Sequence, residues 1–136
     1  MNETIIKSNR IFIPGFWKAE NVTASQGTGI PMIVPGIPFA TWAFPRSAAL
    51  TSVGLRLTEA ITAGFLRLVV TKNGTETAKL LDLTSSHGTK YLWELSASNL
   101  VGNKGDELGF NWGSNAAFAP SGSIDLVVYA EIQWVE

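Results

Sequence analysis

The chain has no cysteine among its 136 residues, which excludes a disulfide framework, zinc–thiolate sites and thiol catalysis. Charge is also scarce. Asp, Glu, Lys and Arg supply 15% of the residues, against about 25% in an average soluble domain. The net charge is −1 and the basic residues are scattered. That offers no electrostatic footprint for nucleic acid and no polybasic patch for a lipid surface. No run of about 18 apolar residues occurs, so no membrane-spanning helix is expected. The opening residues, MNETIIKSNRIFIPGF, lack the apolar core and small-residue cleavage site of a signal peptide. Without an export signal, the Asn-x-Thr triplets at Asn2, Asn21 and Asn73 read as chance.

The usual marks of catalysis are missing too. No nucleophile elbow, Walker loop or dinucleotide glycine fingerprint is present. His87 is the single histidine. It lies in Ser85-Ser86-His87-Gly88, where a base for Ser85 or Ser86 would need triad geometry that sequence neighbours rarely have. A loop histidine is the simpler reading. Glu94 and Glu107, on or beside strands, could form a glycosidase pair, although the low charge weighs against it. Asp106, Glu107 and Asn103 could offer oxygen ligands to calcium. A turn entering a strand explains Gly105-Asp106 as well. No cofactor is expected, and the chain reads as non-enzymatic.

What the chain does have is alternation. Phe65 to Leu83, FLRLVVTKNGTETAKLLDL, places Asn73-Gly74 between two alternating segments. Asn-Gly is the strongest short hairpin signal, because a type I′ turn needs positive φ at both central positions. In that register Lys72 faces Thr75, and Val70, Leu68 and Leu66 face Thr77, Lys79 and Leu81. Phe65, Arg67 and Val69 share the opposite face. Val53, Leu55 and Leu57 alternate with polar neighbours, as do Tyr91 and Trp93, then Leu108, Phe110 and Trp112. The last strand, 124–135, carries Ile124, Leu126, Val128, Ala130, Ile132 and Trp134 on one face.

No segment has helical periodicity beyond one turn near 96–101, and no repeat occurs. Turn signals between about eight strands predict an all-β antiparallel β-sandwich of jelly-roll type, with a lipocalin-like barrel as the structural alternative. Residues 1–10 read as a flexible arm and 11–136 as a single β-sandwich domain. Residues 30–45 hold Pro31, Pro35, Pro38 and Pro45. Proline cannot donate to a ladder, so edge segments or a loop over the core are expected there.

Aromatic residues give the best binding candidates. Trp17, Trp42, Phe44, Trp112 and Phe118 lie in or beside predicted loops, where rings exposed next to Asn and Ser can stack on sugars. Asn111, Ser114 and Asn115 could add hydrogen bonds. The competing reading makes Trp42 and Trp112 core or subunit-interface residues. Trp93 and Trp134 continue apolar faces and read as core. With so little charge, much of the surface falls to small polar and apolar groups, which favours burial against copies of the same chain.

A Gly-Asp turn launches a late strand in Lys104-Gly105-Asp106-Glu107-Leu108-Gly109-Phe110. A loop and the apolar strand IDLVVYAEIQW follow. This order resembles the jelly-roll modules of trimeric assemblies such as C1q/TNF-like heads. It also resembles small β-sandwich virion proteins of tailed bacteriophages: capsid decoration proteins, head fibres and tail modules. The resemblance spans roughly Val53 to Trp134. It implies a non-enzymatic virion structural protein made in the host cytoplasm. Its expected partners are copies of itself, as a homotrimer, and capsid or tail proteins. A carbohydrate-binding, receptor-recognition module on the same fold is the alternative, with surface glycans as partner.

Overall fold

A computed structural model describes residues 10–12, 16–27, 29–36, 40–94 and 101–134. Alternating side chains build two sheets. In the first, β11 (Ile124–Trp134) pairs with β5 (Ala48–Leu57) on one side and with β1 (Arg10–Phe12) and β2 (Trp17–Val22) on the other. The far edge of β5 carries β8 (Lys90–Glu94) and the two-residue β9 (Val101–Gly102). In the second sheet β10 (Glu107–Ser114) pairs with β6 (Leu66–Lys72), and β7 (Thr75–Leu83) lies outside β6. The short β3 (Ile30–Pro31) and β4 (Trp42–Ala43) line the other edge of β10. Every ladder is antiparallel.

The pairs nest. β2 meets β11 in the first sheet, β3 meets β10 in the second, β5 meets β8 in the first and β6 meets β7 in the second. Successive nested pairs therefore alternate between layers, and each face that side-chain alternation makes apolar turns inward. β11 shows the period cleanly: Ile124, Leu126, Val128, Ala130 and Ile132 are buried, while the residues between them stay half-exposed. They meet Leu66, Leu68, Phe110 and Trp112 of the second sheet in one core. Full burial of a large aliphatic or aromatic side chain stabilises by about 1.5–3 kcal/mol, so this shared layer dominates the fold. Trp17 and Phe110 meet edge-to-face across it, with ring centroids 4.8 Å apart, and the Trp17 indole donates to the Ala40 carbonyl at 2.8 Å.

The proline-rich stretch lies on the edge. Ile30 and Pro31 pair with Trp112 and Asn111, and Trp42–Ala43 pair with Leu108 and Glu107. Lys18 and Ile33 exchange backbone hydrogen bonds of 2.7 and 3.0 Å, which ties β2 to the segment after β3 and closes that flank of the sandwich. Of the arm expected at 1–10, only Arg10 is among the described residues, and it begins β1 opposite Gln133. The helical turn expected near 96–101 lies outside the described residues save Val101, which is in β9.

The hairpin turn forms as its sequence demands, with φ of 55° at Asn73 and 83° at Gly74. Its register departs from the simple expectation. Lys72 faces Thr75 and Thr71 faces Glu76, but two irregularities then slip β7 by two residues, so that Leu68 meets Leu81 and Leu66 meets Leu83. A strict ladder would set Leu68 against Lys79. The slip pairs leucine with leucine on the inner face. On the outer face it brings Arg67 opposite Asp82, with Nε 3.0 Å from Oδ1. Two bulges on one strand preserve the parity of its faces while exchanging partners.

Candidate functional site

The outer face of the second sheet carries a cleft of about 420 Å³, within the about 300–1,000 Å³ usual for small-molecule sites. Phe65, Arg67 and Val69, alternate residues at the start of β6, form its floor. The guanidinium of Arg67 stands 5.0 Å from the Phe65 ring centroid, and its Nε is committed to Asp82. Ring and carboxylate together hold that group flat and fixed.

One wall is the β2–β3 loop, stitched to the end of β10. Ser114 N donates to the Gln26 carbonyl at 3.0 Å, Gln26 N donates to Ser114 Oγ at 3.2 Å, and Ser114 Oγ donates to the Thr23 carbonyl at 2.5 Å. Asn115 anchors the corner. Its Oδ1 accepts from Phe65 N at 3.0 Å, and its carbonyl accepts from Ser25 N at 3.0 Å. From the far side Glu76 crosses the sheet. Its Oε2 accepts from Asn111 Nδ2 at 2.9 Å and packs where a Cβ would stand on Gly29. Only glycine leaves room for the carboxylate there.

Several groups of the cleft keep free hydrogen-bonding capacity among the described residues: both Arg67 η nitrogens, Glu76 Oε1, Asn115 Nδ2 and the Ser25 hydroxyl. The site thus combines fixed donors, a fixed acceptor and apolar ring atoms. Among the described residues it contains no hydrogen-bonded nucleophile–base pair. Among the described residues no group of three or more His, Asp or Glu could hold a metal ion.

Of the six residues singled out in the sequence, Trp112 and Asn115 line this cleft. Trp112 is only 6% exposed and otherwise belongs to the core. Trp17, Phe44 and Phe118 are buried core residues far from solvent, so none offers a ring face to a ligand. Trp42 is half-buried against Phe44, centroids 5.5 Å apart. Phe44 owes its place to Gly102, where a Cβ would collide with the Phe44 ring. Trp134 packs against the core and under the Arg46 guanidinium.

The remaining candidates lie outside the cleft lining. His87 closes a 3-10 turn, Ser85–His87, by accepting from Thr84 N at 2.9 Å through Nδ1, and it stands edge-on to Tyr91. Among the described residues it shares no hydrogen bond with Ser85 or Ser86. Glu94 faces Ser52 in the first sheet, whereas Glu107 opens β10 in the second and accepts from the Thr41 hydroxyl at 2.7 Å. Asp106 is fully engaged by the hairpin tip. Asn73 Nδ2 donates to its Oδ1 at 3.0 Å, and Asn103 N donates to its Oδ2 at 2.9 Å. Those two donors, Asn73 first, hold its carboxyl below the usual carboxylate range.

Phe65, Arg67, Glu76 and Ser25 are the cleft residues that sequence reasoning passed over. The signal was an aromatic and a cation on the hairpin face turned away from the leucines. No family model matches the chain, and no curated protein matches it.

Proposed function

We propose that this protein is a non-enzymatic structural module that assembles with copies of itself, as a homotrimeric jelly-roll component of a tailed-phage virion. The nested pairing, with successive pairs lying in alternate sheets, supports the jelly-roll reading. The observation that carries self-assembly is the outer face of the first sheet. Tyr129, Gly54 and Leu92 sit side by side across β11, β5 and β8. Tyr129 leans over Gly54, and Leu92 is 73% exposed. Carried one residue past the Val128–Trp17 pair, the register brings Phe16, 41% exposed, level with Tyr129. Ile33, 54% exposed, joins the same face through Lys18 and Val127. The three most exposed large apolar side chains among the described residues thus share one side, as a buried interface requires.

Sedimentation velocity at micromolar concentration tests this. A particle of three times 14.6 kDa is expected, and Leu92→Asp should release monomer. A wild-type monomer at that concentration removes the assembly reading. Peptides of this chain in purified virions would support the virion placement. A second reading, recognition of a surface glycan, is favoured by the cleft on the outer face of the second sheet, whose lining includes Trp112 and Asn115.

A further inference from the structure

We infer that the cleft over β6 is a binding site for a neutral saccharide, with Arg67, Glu76, Asn115 and Phe65 as its contacts; this rests on the glycan reading and names its ligand class. Three observations converge. The first is hydrogen-bonding character. Among the described residues, donors on Arg67 and Asn115, an acceptor on Glu76 and the Ser25 hydroxyl sit uncommitted around one concavity. A sugar hydroxyl both donates and accepts, so a ring of hydroxyls satisfies such a mixed set where a purely anionic group would not.

The second is charge. Arg67 already spends Nε on Asp82, and Glu76 adds a second carboxylate to the same face. Two carboxylates beside one guanidinium weaken the attraction for an acidic ligand. The polar groups remain strong, since hydrogen bonds to ionised partners are about twice as strong as neutral ones.

The third is rigidity. Each contact is held by something other than a ligand: Arg67 by Asp82 and the Phe65 ring, Glu76 by Asn111, Asn115 by Phe65 N. Fixed groups lose little freedom on binding. Phe65 supplies apolar atoms for sugar C–H groups.

The test is a glycan array of neutral and sialylated structures, followed by calorimetry with the strongest neutral hit, on the full chain and two variants. Arg67→Met removes the donors. Gly27→Trp fills the cleft mouth from a position with open space around it and no positive φ, so the fold should survive; circular dichroism checks both. Neutral glycans alone should bind, and each variant should weaken binding by about tenfold or more, the scale of losing a charged hydrogen bond. Preference for sialylated glycans would overturn the neutral class and leave the glycan reading standing. Neutral binding untouched by both variants would move the site elsewhere and overturn this inference alone. Binding to no glycan at all would remove the inference and the glycan reading together.

Discussion

Asn73 holds more of the molecule than a turn residue needs to. Its positive φ suits the type I′ bend. Its side chain also grips the start of β10, donating to Asp106 and accepting from Glu107 N at 2.9 Å, while its own N–H donates to the Glu107 carbonyl. Replacing it separates the two roles. Asn73→Gly keeps the bend and loses the side-chain bonds, whereas Asn73→Ala loses both, so thermal midpoints should fall in the order wild type, Gly, Ala. Asp106 reports the same contact by titration. Its pKa is lowered from 3.8 in the fold, so its stabilising contribution is present above the unfolded value and lost as pH falls through the folded one. Carboxyl NMR should place its midpoint below 3.8, and Asn73→Gly should raise it. An unmoved midpoint would show that the amide does not set it. Gly102 offers a larger effect. A valine there must displace the Phe44 ring from the core, and overpacking of this kind costs about 1–3 kcal/mol, which urea denaturation would measure. The glycines at these close approaches were visible in the sequence. Their partners were not, because Gly102 and Phe44 are far apart along the chain.

At the scale of elements, period-two patterns located the long strands well. Residues 53–57, 66–72 and 124–134 all form strands where the alternation was read, and 124–134 buries alternate residues; in the first two, Gly54, Val69 and Thr71 on the other face are buried as well. The slip in β7 was not legible. Turn chemistry fixes the first two pairs, but the leucine-to-leucine match beyond them depends on a core that only the second sheet creates. The cleft escaped for the same reason. Its floor is local, but its walls come from loops and strands distant in sequence, and aromatic residues near loops proved to be core where the loops folded over them. The sheet order also ranks the elements by stability. β11 and β5 share a ladder running from Leu126–Leu57 to Trp134–Ala48, and β10 and β6 share one from Leu108–Lys72 to Ser114–Leu66. β3, β4 and β9 hold two residues each at the edges. Native-state hydrogen exchange should therefore find the slowest amides in β11, β5, β10 and β6, and the fastest among these strands in β4 and β9. Faster exchange in β11 than in β4 would contradict the layered core.

Considered whole, the molecule separates its surfaces. The outer face of the first sheet carries exposed Phe16, Ile33 and Leu92 beside charged residues such as Lys18, Arg56 and Glu131; the outer face of the second carries the cleft. The two proposed roles, self-assembly and ligand binding, thus fall on opposite faces of the sandwich. The division makes stability depend on concentration. If the native state is a trimer, each tenfold rise in protein concentration adds on the order of 1 kcal/mol of stability per chain by mass action. Thermal melts from one to a hundred micromolar should then shift steadily upward. Leu92 is 73% exposed in the single chain, and surface substitutions usually change stability by no more than about 0.5 kcal/mol. Leu92→Asp should therefore leave the fold of one chain intact and abolish the concentration dependence. A wild-type midpoint that stays constant across that range would mean the Leu92 face meets only water. A concentration dependence that survives Leu92→Asp would move the interface to another side of the sandwich.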